Sequence, residues 1–252
     1  MEWWQYLIFF FLSMLVSIIN SLAGGGSTLS LPILIFLGLP ATVANGTNRI
    51  GLLVGNFSSM LNLKKHGHLY APVFKQLFLP TFLGSIIGVF VLVQMNDKLF
   101  QAILAIVIFF VVIATNVKKN ILGKPPSSPP QKRSLKSFVG FLFIGLYGSI
   151  VQVGVGFLQI FAISKYSGLS LIQVNALKSA LTSIFLIIST IALCISGKVL
   201  WDVALTMALG AWLGGYFGSS LQRKHGNEFI EKSIAIISLI MAAYLIYDLI
   251  KS

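Results

Sequence analysis

Residues 6–38 read YLIFFFLSMLVSIINSLAGGGSTLSLPILIFLG. A continuous helix of these 33 residues would be about 50 Å long, against a hydrocarbon core of about 30 Å. It is too long for one simple crossing. Gly24-Gly25-Gly26-Ser27 interrupts it, and a glycine cluster either unwinds a helix or lets another backbone approach closely. The stretch therefore reads as a membrane segment with a break in it.

The rest of the chain agrees with membrane residence. Of 252 residues, 56% are hydrophobic and 10% charged, and the mean hydropathy is +0.91. A soluble domain carries roughly 25% charged residues, and one of this size could not hide so much apolar surface from water. The net charge is +12. Most of that charge sits in short gaps between apolar runs, where it sets membrane orientation, so nucleic acid is a poor partner. Cys194 is the sole cysteine and reads as a small hydrophobe. Ser21-Leu22-Ala23 resembles a leader-cleavage site, but residues 1–5 lack basic side chains. A retained first helix is expected.

Candidate spans lie near 6–38, 41–63, 70–94, 98–117, 136–168, 170–196, 199–220 and 228–250. The fold class is thus an all-α membrane protein of about eight transmembrane helices. A basic, proline-rich linker at 118–135 separates a first repeat (1–117) from a second (136–252). At a constant offset of 130 residues, Gly24 falls on Gly154, Gly26 on Gly156, Asn45 on Asn175, Gly84 on Gly214 and Gly88 on Gly218. Asp97 falls on Asn227, and both are candidate N-caps. Four spans per half is an even number, which predicts a parallel repeat. Sorting loop cations on that scheme puts ten, including Lys64, Lys65 and Lys198, on the side of both termini. Five, including Lys98, Lys165, Arg223 and Lys224, fall on the other. Both termini are then expected in the cytoplasm, in the inner or plasma membrane.

The second half opens as the first does. Gly148, Gly154 and Gly156 lie in GLYGSIVQVGVG (145–156). Paired glycine-interrupted segments point to a transporter's substrate site, since a half-helix starting at each break aims amide N–H groups into the membrane. Gly84-x-x-x-Gly88 and Gly214-x-x-x-Gly218 fit helix packing better.

Intramembrane polar residues converge on the same place. Asn45, Thr47, Asn48 and Arg49 lie in the first turns of the second span, and Gln152, Asn175 and Lys178 occupy the other half. A buried cation is costly and functional by default. All six acids lie in loops or at span ends, so Arg49 and Lys178 suit an anionic guest, hydrogen-bonded by Asn45, Asn48, Gln152 and Asn175. The competing reading has the two cations capping carbonyls of the broken helices, or snorkelling. No metal-ligand set, phosphate loop or nucleophile motif is present, so no cofactor, metal or catalytic residue is expected. A transporter is the first reading, and a non-transporting assembly subunit the alternative. A homo-oligomer is left open.

Ala23-Gly24-Gly25-Gly26-Ser27-Thr28-Leu29-Ser30-Leu31-Pro32 resembles the glycine-rich first motif of the TauE/SafE permeases. Gly38-Leu39-Pro40-Ala41, then Ala44-Asn45-Gly46-Thr47-Asn48-Arg49, is similar to their second-span motif. Lys64-Lys65-His66-Gly67-His68 is similar to the basic turn that follows, with echoes at Gly154, Gly156 and 174–178. The resemblance implies transport, often export, of small sulfur-containing anions such as sulfite or sulfonates. Val155 stands where the family's second glycine cluster usually has glycine.

Overall fold

The computed structural model describes residues 2–117 and 134–251, with side chains at 2–108 and 134–226. The linker at 118–135 thus lies almost wholly outside the described residues, as does the side chain of Asn227. Within them the secondary structure is entirely helical. The helices are α1 (Trp3–Leu22), α2 (Ser27–Phe36), α3 (Ala41–Lys65), α4 (Ala71–Val93), α5 (Asp97–Val117), α6 (Leu135–Ile150), α7 (Val155–Ser167), α8 (Leu171–Ile195) and α9 (Trp201–Lys251). α9 has one non-helical residue, Gly226, with φ +73° and ψ −165°. Among the described residues, three helices, α1, α4 and α8, are both long and apolar enough to cross a bilayer by length and composition alone. α3 has the length, but its Asn, Thr, Arg and Lys content lowers its hydropathy.

Both overlong segments are broken. α1 stops at Leu22 and α2 starts at Ser27. Gly24 takes φ +84°, a region that costs other residues strain, and the Asn20 side chain accepts the Gly26 N–H at 2.8 Å. α2 then doubles back. A Cβ on Gly26 would strike the Val16 carbonyl, and Leu31 and Leu34 join Phe9, Leu39 and Ala41 in one apolar cluster. The pair α1–α2 therefore begins and ends at the same end of the molecule. α6–α7 breaks at Val151 to Gly154, with Gln152 at φ +59° and Gly154 at φ +71°. Ile160 and Ile163 of α7 return to cluster with Phe141 of α6 and Val174 of α8.

Helix directions follow from which residues touch. Gly55 of α3 abuts Ser17 of α1 and Ala211 of α9, while Gly51 abuts Met207. Asn62 donates to Ser219 Oγ at 2.8 Å and Ser220 Oγ at 2.9 Å. On α1, Tyr6 donates to Asp202 at 2.7 Å, and Gln222 donates to the Ser21 carbonyl at 2.6 Å. So α1, α3 and the first part of α9 run in one direction. α4, α6 and α8 run the other way: Gly88 meets Leu146 and Ser149, and Gly148 meets Phe185. The two glycine pairs supply close helix contacts as expected, Gly84 and Gly88 against α6 and Gly214 and Gly218 against α1.

This corrects the parallel-repeat expectation. α1 and α6 are antiparallel, because each opening segment returns to the end it started from instead of crossing. One end, the Asp97 end, gathers the starts of α1, α3, α5 and α9. The other, the Lys64 end, gathers the starts of α4, α6 and α8. Lys64 and Lys65 therefore share an end with Arg223 and Lys224, where the charge count had placed them on opposite sides. The caps differ too. Asn96 accepts the Leu99 N–H at 2.8 Å and caps α5. Asp97 instead accepts the Thr42 N–H of α3 at 2.8 Å, a role that the N-cap residue of α3, Pro40, has no side-chain acceptor to fill.

Candidate functional site

The two breaks lie against each other in the middle of the molecule. A Cβ on Gly24 would stand 2.7 Å from the Cα and the carbonyl carbon of Gly156. Only glycine at both positions permits this contact, and it brings the ends of α1 and α6 together. Each end leaves carbonyls without an intrahelical partner. Each is capped by a cation from the other half of the chain.

Arg49, fully buried on α3, caps α6. Its Nη2 donates to the Ser149 carbonyl at 2.7 Å and the Ile150 carbonyl at 2.9 Å. Its Nη1 donates to the Gly148 carbonyl at 3.5 Å and to Ser189 Oγ. Its Nε donates to Asn45 Oδ1 at 3.3 Å. A guanidinium has five N–H donors, and all five are placed on neutral acceptors. Lys178, fully buried on α8, caps α1 through the Asn20 carbonyl and the Ser21 carbonyl, the latter at 3.1 Å. An ammonium has three donors, and these two carbonyls take two of them. Both cations also sit well against the negative ends of helix dipoles.

Beside Lys178 is a small recess of about 20 Å³, far below the range of drug-sized ligand pockets. Asn20, Ser27, Asn56, Gln152, Lys178 and Thr182 supply its polar lining, Gly24 and Gly156 its backbone wall, and Leu52, Val155, Phe185 and Leu186 its apolar side. The lining contains a cation and no carboxylate.

The residues expected from sequence divide into four groups. Gln152, Lys178, Gly24 and Gly156 line the recess. Asn45, Arg49 and Asn175 stand behind it and hold it together. Asn45 Oδ1 accepts from Gln152 Nε2 at 3.4 Å, and Asn175 Nδ2 donates to the Leu22 carbonyl at 3.3 Å and to Gln222 Oε1 at 3.1 Å. Gly25, Gly26 and Gly154 shape the breaks without lining the recess. Thr47 and Asn48 are outside it. Thr47 Oγ1 accepts the Leu200 N–H at 3.0 Å and so holds the turn before α9. The Asn48 amide is buried and its two polar atoms have no partner, a feature for which the structure offers no physical account. For Arg49, the capping reading is the one the contacts match.

Four lining residues escaped the sequence reading as site members. Asn56 falls two turns beyond Arg49 on α3, Thr182 one turn beyond Lys178 on α8, and Asn20 just before the triple glycine. That helical spacing was the available signal. Ser27 enters the sequence analysis only as part of the glycine-rich interruption.

A helical bundle with exposed apolar flanks, two back-to-back helix breaks and a polar recess between them has the build of a membrane transport protein. Residues 9–245 match the sequence model of the family described as "Sulfite exporter TauE/SafE". The chain belongs to that family. Among its relatives, a "Probable membrane transporter protein" of Haemophilus influenzae is 24% identical over 96% of this chain and 94% of its own length. "Probable membrane transporter protein YfcA" of Escherichia coli K12 is 26% identical over 96% and 89%. "Probable membrane transporter protein YunE" of Bacillus subtilis is 25% identical over 97% and 98%. No solved structure matches the chain significantly.

Proposed function

We propose that this chain carries a small, sulfur-containing anion, of the sulfite or sulfonate type, across the cell membrane in the export direction, and that it is not an enzyme. The observation that carries this reading is the recess at Lys178. One incompletely used cation, without a neighbouring carboxylate, faces a small cavity between two helix breaks. The sulfur preference rests on the family's description as sulfite exporters. Lys178 contributes charge, and Asn20, Ser27, Gln152 and Thr182 contribute hydrogen bonds to the guest's oxygens. Arg49, Asn45 and Asn175 keep the walls in place. Purified protein in liposomes, with no other protein present, is expected to move sulfite or methanesulfonate at least about tenfold faster than protein-free liposomes. Background rates for sulfite, sulfonates and acetate alike would defeat this reading.

The architecture we propose is an inverted repeat, residues 1–117 and 136–252, joined by the linker at 118–135. Each copy is a re-entrant pair followed by three crossings. The support is the antiparallel run of α1 and α6, with α4 packed in the second half and α9 in the first. An inverted repeat around a midplane site is a frequent transporter plan. With directions read from contacts, the described cations at the Lys64 end are Lys64, Lys65, Lys75, Lys136, Lys165, Arg223 and Lys224, against Lys98 and Lys198 at the Asp97 end. The Lys64 end is then cytoplasmic, and the N-terminus lies outside. In a Cys194→Ser background, an impermeant maleimide is expected to label Lys98→Cys in intact cells, and Lys65→Cys only after permeabilisation. The opposite pattern reverses the orientation.

A further inference from the structure

The two ends of the molecule differ sharply in charge. The described acidic side chains, Glu2, Asp97 and Asp202, all lie at the Asp97 end, where α1, α5 and α9 begin. At the Lys64 end, the close of α3 and the stretch of α9 before Gly226 bring cations together. Asn62 ties the two through Ser219 and Ser220, and His66 contacts the Asn62 carbonyl at 2.8 Å. Lys64, Lys65, His66 and Lys224 are exposed, with Arg223 half-buried beside them. Burial, with the charges of His66 and Arg223, holds the His68 imidazole below its ordinary range. The positive potential of this corner is therefore poorly compensated. Glu228 and Glu231 follow in sequence, and the Lys and Arg residues still outnumber them.

Directly along the helices from these cations runs an apolar flank. Phe57 and Leu61 of α3 are 40% and 39% exposed, and Trp212 and Tyr216 of α9 are 45% and 50% exposed. Ser58 and Asn62 of α3 donate to the Trp212 and Tyr216 carbonyls at 2.8 and 3.3 Å, so these side chains flank one helix seam. A cationic cap at the top of an aromatic and aliphatic seam has the shape and polarity of a phospholipid. The cap takes the phosphate and the seam takes an acyl chain. Tyr and Trp favour such interfacial depth, and juxtamembrane clusters of this kind attract anionic headgroups.

We propose that the α3–α9 corner, capped by Lys64, Lys65, Arg223 and Lys224, binds the headgroup of an anionic phospholipid with its acyl chain along the Phe57–Tyr216 seam. The site is separate from the Lys178 recess and does not depend on what that recess carries.

The test uses the full chain in nanodiscs of equal phosphatidylglycerol and phosphatidylcholine, with retained lipids weighed by native mass spectrometry. Wild-type protein is expected to keep phosphatidylglycerol in preference. The triple variant Lys64→Gln/Lys65→Gln/Lys224→Gln should lose more than about tenfold of that preference, while Lys98→Gln at the opposite end keeps it. Equal retention of the two lipids by wild type, or undiminished preference in the triple variant, overturns the proposal. Displacement of phosphatidylglycerol by millimolar inorganic phosphate also overturns it, because the corner would then be a soluble-phosphate site. Leu61→Ser, which leaves the cations in place, is expected to weaken retention and separates a lipid seat from simple charge attraction.

Discussion

Gly156→Val is expected to lower the unfolding midpoint in detergent by roughly 10 °C or more, or to leave only aggregated protein. A Cβ at position 156 falls on the Gly24 backbone, and a Cβ at position 24 stands 2.7 Å from two Gly156 backbone atoms. Overpacking costs about 1–3 kcal/mol where side chains can give way. Here the opposing atoms are main chain, fixed by the helix on either side, so the cost is expected at or above the top of that range. For a chain of this size each kcal/mol is worth about 2–4 °C. Gly140→Ala is the control. It is helical, with nothing within 4 Å of an added Cβ, and replacing glycine by alanine in a helix is neutral or stabilising. If Gly156→Val unfolds like Gly140→Ala, the two breaks do not touch, and the recess between them has no wall.

Much of this arrangement was legible in the residues. The length of 6–38 forced a break, and the triple glycine located it within a residue or two of where α1 stops. The glycines near 24–26 and 154–156 also pointed to both breaks. Direction was not legible. Hydropathy has no sense of up or down, and counting 6–38 as a crossing changed the parity of every later span. That single miscount made the repeat parallel and put Lys64 and Arg223 on opposite sides. Chain contacts such as Asn62 with Ser219 correct both at once.

The second break shows a different limit. Gln152 takes the left-handed conformation there, a choice that no glycine pattern announces. The partners of Arg49 were hidden for a related reason. Main-chain carbonyls at a helix end leave no trace in side-chain identity, so a census of acids found no counterion where the counter-dipole was backbone. Both cations are buried, but residue identity alone weights them equally. Their donor counts separate them, five of five used for Arg49 and two of three for Lys178.

That difference carries the second large effect. Loss of Arg49 frees three carbonyls of α6, so on the proposed reading it positions the walls and its variants are expected to fail chiefly in folding. Lys178 touches the recess and is expected to fail in transport. Lys178→Gln keeps amide donors for the Asn20 and Ser21 carbonyls, and Gln222 still donates to Ser21 at 2.6 Å, so the protein should insert and fold. On the proposed reading it loses a charge-assisted bond to the anion, worth about 1.5–3 kcal/mol, or roughly 10- to 150-fold. Lys178→Arg keeps a cation in the recess and should retain more flux than Lys178→Gln.

The decisive measurement is anion flux in liposomes containing wild type, Lys178→Arg or Lys178→Gln, each first checked for a monodisperse, helical state. A transported sulfur oxyanion should move at least about tenfold more slowly through Lys178→Gln, with Lys178→Arg between it and wild type. Wild-type flux through folded Lys178→Gln would contradict an anion site at the meeting of the two helix breaks.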